Sequence, residues 1–162
     1  MNMPAACQLP TTDAEPDPVT GLSRGELPNL GAEVRTIIEQ GRLSILFQPI
    51  VAVGEHTIHG YEALTRGPSD SPLHAPVSLF NAACQAGLLL ELERQCWRLA
   101  YDSFIELGLP GRLFLNTSSR SLIQPGQPLL HALRGVGNPH FQPERVVIEI
   151  TEQYPIDDFA AV

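Results

Sequence analysis

From residue 57 to residue 151 the spacing of apolar residues switches repeatedly between strand-like and helix-like, which limits the chain to a small set of folds. Residues 57–66 (TIHGYEALTR) and 112–117 (RLFLNT) read as strands. Residues 145–151 (RVVIEIT) are a nearly continuous apolar run, the pattern of a strand buried on both faces. Between the first two strands lie a helix over 77–86, closed by Gly87, and an amphipathic helix over 88–107. On the longer helix Leu89, Leu92, Cys96, Leu99, Ala100 and Leu107 form an apolar stripe, with Glu91, Arg94, Arg98 and Asp102 on the other side. Gly108 and Pro110 end it. Residues 119–135 read as a helical region interrupted at QPGQP, and the residues from Pro155 as the first turn of another helix. Such alternation joins parallel strands through helical crossovers.

The chain opens differently. Residues 1–30 are rich in Pro, Thr, Asp and Gly without periodicity, and are expected to be a disordered lead-in. A short helix over 31–41 follows, with Val34, Ile37 and Ile38 on one side and Gly41 as its stop. Residues 43–53 (LSILFQPIVAV) make a first strand, and the connection Gly54-Glu55-His56 is short enough for a hairpin, so the first two strands are expected to be antiparallel. Residues 67–76, with three prolines, form a loop. The predicted class is α/β.

A hydrophobic content of 43% and a charged content of 17% suit one soluble domain. A net charge of -8 repels a phosphate backbone and argues against general nucleic-acid binding, although local cations or metal ions still admit a small anionic ligand. No segment is long and apolar enough to span a bilayer, and the first twenty residues lack the basic and apolar regions of a signal peptide. Cys84 and Cys96 fall in apolar helical patterns and are read as buried thiols, which suits a cytoplasmic setting.

Three polar residues sit late in three strands: Glu62, Asn116 and Glu149. In α/β barrels the C-terminal strand ends build the active site. A buried carboxylate costs several kcal/mol unless it is paired or metal-bound. Two carboxylates and an amide oxygen are hard donors that suit Mg²⁺ or Mn²⁺ better than zinc. Glu62, Leu64 and Arg66 alternate along one strand and face the same way, setting a cation that could anchor a phosphate beside the acid. Ordinary alternatives stand beside these readings. Glu62 pairs equally well with Arg66, Asn116 is a natural cap for the helix after it, Gln48 suits an edge strand beside Pro49, and Glu152 suits a solvated strand exit. His56, His59, His74, His131 and His140 form no ligand spacing.

The runs Phe47-Gln48-Pro49-Ile50-Val51, Gly60-Tyr61-Glu62-Ala63-Leu64-Thr65-Arg66-Gly67, Leu113-Phe114-Leu115-Asn116-Thr117-Ser118 and Val147-Ile148-Glu149-Ile150-Thr151-Glu152 resemble, in order and spacing, four motifs of the EAL domain family. The resemblance covers roughly residues 35–162, the first half of such a domain. It implies a modified (β/α)8 barrel with an antiparallel first strand, here a partial TIM-like barrel of about four strands. It implies hydrolysis of cyclic di-GMP to linear pGpG with two divalent ions, Mg²⁺ or Mn²⁺. It implies Glu62, Asn116 and Glu149 as metal ligands, with Glu62 catalytic, and Gln48, Leu64 and Arg66 as nucleotide contacts, with Arg66 on a phosphate.

The family's later motif of paired aspartates, its lysine and its further acids are not found in this sequence. Asp157-Asp158-Phe159 follows Glu149 too closely to allow the helix and strand that should intervene, and Ala160 stands where a glycine belongs. A full barrel takes roughly 250 residues. We therefore expect the chain alone to be poorly stable, prone to association, homodimers included, and inactive, with the remainder, and a GGDEF or sensor domain, supplied by the parent protein. A catalytically silent cyclic di-GMP receptor is the alternative. A two-carboxylate glycosidase is remote, since it explains neither Asn116 nor Arg66.

Overall fold

A computed structural model describes residues 30–122, 133 and 142–151. Its elements are α1 (Leu30–Glu39), β1 (Ser44–Ala52), β2 (Thr57–Arg66), α2 (Pro76–Gln85), α3 (Leu89–Glu106), β3 (Arg112–Ser118), α4 (Ser119–Leu122) and β4 (Val146–Thr151). A 3₁₀ turn at Pro143–Arg145 leads into β4. Leu30, expected in the lead-in, begins α1; the rest of the expected lead-in, most of the helical region of 119–135, and the acids at 152, 157 and 158 lie outside these residues.

The four strands form one sheet in the order β1-β2-β3-β4. Only residues 53–56 join the neighbours β1 and β2. A parallel crossover needs a dozen residues or more, so this pair is antiparallel, as expected. β3 lies parallel to β2, with Gly60 opposite Arg112 and Ala63 opposite Leu115. β4 lies parallel to β3, from Leu113 opposite Val146 to Ser118 opposite Thr151. At Gly60 the backbones approach so closely that a Cβ would lie 2.3 Å from the Arg112 carbonyl oxygen and 2.7 Å from the Phe114 ring. Only glycine fits there without shifting the ladder.

The chain divides into two compact units, one of residues up to Ser44 with Arg66–Leu92, the other of Ile45–Thr65 with the residues from Glu93 onward. In the first, α1 packs on α2. Val34 and Ile37 of α1 are buried, as are Leu79, Ala82 and Ala83 of α2. Gly41 ends α1 at φ 63°, in the left-handed region, and the Arg42 amide returns to the Ile37 carbonyl at 2.9 Å. Cys84 is buried but disulfide-bonded, against the expectation of a free thiol.

In the second unit α3 covers the sheet. Its residues Glu93, Cys96, Trp97, Ala100, Tyr101 and Phe104 are buried at helical spacing. Phe104 meets Phe47 of β1 with ring centroids 6.3 Å apart. Burial of one such side chain is worth about 1.5–3 kcal/mol. The Arg145 guanidinium stacks over Phe104 at 4.7 Å and donates to the carbonyls of Leu109, at 2.6 Å, and Gly111, at 2.9 Å. The Tyr101 hydroxyl accepts the Gln142 amide at 3.0 Å. These contacts tie the entry of β4 to the end of α3. Cys96 is a free, buried thiol, and burial pushes its pKa up to about 12. No helix among the described residues is long and apolar enough to cross a membrane.

Two further expectations fail. Leu107, placed on the stripe of α3, lies past the helix end and is 62% exposed. β4 is not buried on both faces: Val146–Glu149 are half-buried and Ile150 is 48% exposed. Among the described residues β4 is a terminal strand of the sheet, with a neighbour on one side only.

Candidate functional site

Three adjacent parallel strands each contribute one polar residue to a common place: β2 gives Glu62, β3 gives Asn116 and β4 gives Glu149. Asn116 and Glu149 are register partners. Glu62 is opposite Phe114, two positions before Asn116. Strand alternation therefore sets all three on the same face of the sheet. The Asn116 side-chain Nδ2–H donates to Glu62 Oε1 at 2.7 Å. The amide thus spans to β2 instead of capping α4.

The electrostatics of the cluster are unfavourable without a counter-charge. Burial pushes the Glu149 carboxyl above its ordinary value, and the negative field of Glu62 pushes it further the same way. A third feature is solvent access: Glu62 and Glu149 are half-buried and Asn116 is exposed. The polar residues are therefore less buried than their apolar neighbours in sequence suggest. A cation fits this donor set. Two carboxylates that repel each other supply charge, and with Nδ2 turned to Glu62 the opposite atom of the amide, Oδ1, remains as a hard oxygen donor. Among the described residues no group of three or more His, Cys, Asp or Glu side chains could hold a metal, so the described set is two acids and one amide.

The other expected site residues are placed less tightly. Leu64 follows Glu62 by two on β2 and is half-buried; Gln48 of β1 is exposed. No hydrogen bond joins Gln48 to the cluster among the described residues. Arg66 closes β2 and is grouped with the first unit. In that unit a groove of about 360 Å³ is lined by Arg42, Ser69, Asp70 and His74 among others, with Arg42 paired to Asp70 at 2.8 Å. No motif or periodicity in the sequence points to this groove.

Two residues of α3 that carry no functional motif reach the backbone around Asn116. The Trp97 indole Nε1–H donates to the Asn116 carbonyl oxygen at 3.2 Å, and Glu93 Oε1 accepts the Ser118 amide at 2.7 Å. Glu93 also accepts the Ser121 hydroxyl. Burial raises the Glu93 carboxyl above its ordinary value, and the bonds from Ser121 and Ser118 oppose this. Its signal was available: Glu93 is four residues after Leu89 and four before Trp97, an acid set within an apolar stripe.

The sequence pattern of one protein family, the EAL domain, matches residues 32–162. No curated protein sequence matches the chain. Solved structures do. The FimX EAL domain from Pseudomonas aeruginosa bound to c-di-GMP is 29% identical with a TM-score of 0.59, over 75% of this chain and 50% of that one. Klebsiella pneumoniae BlrP1 in a manganese and c-di-GMP complex is 26% identical with a TM-score of 0.56, over 68% of this chain and 28% of its own. An EAL domain protein from Listeria monocytogenes shares the fold at 20% identity and a TM-score of 0.63, over 80% of this chain and 51% of that one. This chain thus spans about half or less of the solved chains it matches.

Proposed function

Because the chain belongs to the EAL domain family, we propose that the intact protein hydrolyses cyclic di-GMP to linear pGpG, with Glu62, Asn116 and Glu149 as ligands of a divalent cation, Mg²⁺ or Mn²⁺. The observation that carries this reading is the meeting of those three side chains from three adjacent strands, joined by the 2.7 Å bond from Asn116 to Glu62. The presence of c-di-GMP in the FimX structure, and of manganese with c-di-GMP in the BlrP1 structure, supports the choice of ligand and ion.

When bound, divalent ions supply Lewis-acid polarisation of a phosphoryl oxygen and a water activated for in-line attack. The chain's own residues do the rest. Glu62 and Glu149 concentrate negative charge at one point of an open strand end. Asn116 fixes the orientation of Glu62 by donating to it. Leu64, on the same side of β2 as Glu62, and Gln48 contact the nucleotide in this proposal, and Arg66 holds a phosphate. The net charge of -8 is then no obstacle, since the anionic substrate meets the bound cations and not the bare protein. A cytoplasmic setting and a fused GGDEF or sensor domain belong to the same proposal.

One observation favours a second reading, a receptor that binds cyclic di-GMP without cleaving it: the described donors are two carboxylates and one amide, fewer acids than a two-metal site uses. Incubating the intact protein with cyclic di-GMP and Mn²⁺ separates the two. Hydrolysis predicts pGpG that accumulates with time and stops on adding EDTA. Bound but intact cyclic di-GMP after long incubation would reject hydrolysis in favour of the receptor.

A further inference from the structure

We propose that Glu93 and Trp97 are positioning residues for Asn116, holding the end of β3 so that its side chain stays aimed at Glu62. The inference rests on the reading of Asn116 as a metal ligand. The registered pairs between β2 and β3 end at Ala63 opposite Leu115, one residue before Asn116. Beyond that pair β3 keeps its register with β4 on one side, and α3 adds two bonds to its backbone. Trp97 donates to the carbonyl of Asn116 at 3.2 Å and Glu93 takes the amide of Ser118 at 2.7 Å, so the two bonds flank Thr117 and hold the backbone directly after the ligand. Glu93 and Trp97 are one helical turn apart on the same face of α3. They act as a two-point clamp across the two residues that follow Asn116.

Both side chains are built for holding. Glu93 is 2% exposed and Trp97 is 1% exposed. A carboxylate taken almost fully from water is costly, and apolar packing alone at this place would be cheaper. What the carboxylate adds is acceptor capacity at two points, one oxygen for the β3 backbone and the other for the Ser121 hydroxyl of α4. Ser118 Oγ and Ser121 Oγ lie 3.2 Å apart and close the same small network. The network therefore fixes the backbone from Asn116 into α4, which an aliphatic side chain at 93 does not do. Groups that orient a metal ligand without touching the ion typically change metal affinity by about 10- to 100-fold when removed.

The test is Mn²⁺ affinity by calorimetry on the intact protein, alongside thermal unfolding. The variants are Trp97→Phe, which keeps an aromatic ring and deletes the N–H donor, and Glu93→Ala and Glu93→Gln. Phe104→Leu, which loosens the same helix far from β3's end, is the stability control. The expected result is a loss of about 10-fold or more in Mn²⁺ affinity for Glu93→Ala, with a smaller loss for Glu93→Gln, which keeps one acceptor oxygen. Trp97→Phe should lose several-fold affinity, while Phe104→Leu binds Mn²⁺ as the parent does even where it unfolds earlier. If Glu93→Ala does not fold, Trp97→Phe decides alone. Affinity that is unchanged in Trp97→Phe, or that follows unfolding temperature equally in Phe104→Leu, overturns the positioning role and leaves the metal site standing. A parent protein that binds no Mn²⁺ overturns the metal-site reading itself, and this inference with it.

Discussion

Single residues do two kinds of work here. Asn116 is a connector: its side chain donates to Glu62 while its backbone carbonyl accepts from Trp97. Gly60 is a spacer, two residues before Glu62, where any Cβ would press on the Arg112 carbonyl at 2.3 Å. That contact is with backbone, which cannot swing aside as a flexible side chain would. Gly60→Ala is therefore expected to destabilise the fold by about 1–3 kcal/mol, the usual cost of overpacking. Urea unfolding checks this; an unchanged midpoint would mean that β2 and β3 are less closely spaced than described. At this scale the sequence was most readable for residues that break a pattern. Glu62, Asn116 and Glu149 stand out as polar residues in apolar strands, although that pattern alone leaves a pair with Arg66 open for Glu62 and a helix cap open for Asn116, and the structure brings the three together. It was least readable for Gly60, because strand spacing depends on a partner fifty residues away.

At the scale of elements, α3 is the organiser of the second unit, and its buried acid makes a pH-dependent prediction. Burial raises the Glu93 carboxyl above its unfolded value, so the folded state holds this proton more tightly than the unfolded chain does. The associated stability is complete below the ordinary glutamate pKa. It is lost as pH rises from there through the raised folded value. The parent protein should therefore lose stability across that window more steeply than Glu93→Gln, measured as the difference between the two unfolding free energies against pH. Parallel profiles would contradict it. The strands and helices themselves were legible to within a residue or two, because each has a clear period or a glycine stop such as Gly41 or Gly87. Two misreadings share one cause. Leu107 fits the helical spacing but lies past the helix end, and the apolar run of β4 reads as a central strand although β4 ends the sheet order. Periodicity reports which residues match a pattern, not where an element stops or which element lies beside it. Glu93 was missed for the converse reason, since one acid in an amphipathic helix reads as part of the polar face until the opposite stripe is counted.

For the whole molecule, an antiparallel opening pair followed by parallel strands carries the cluster, and the sheet has β1 at one end and β4 at the other among the described residues. Leu46 and Val51 of β1 and Ile150 of β4 are exposed, at 53%, 54% and 48%. Apolar terminal strands are templates for pairing with another chain. A polypeptide of residues 1–162 alone is therefore expected to self-associate, rising in apparent mass with concentration in sedimentation equilibrium; a monomer at all concentrations would contradict this. The central claim is that three strands jointly present one cation site, and the metal tests it most directly. Mn²⁺ titration of the intact protein, compared with Glu62→Gln, Asn116→Ala and Glu149→Gln, should show the same site weakened by about 10-fold or more in every variant. Mn²⁺ binding that is absent from the parent, or equally strong in all three variants, would contradict it.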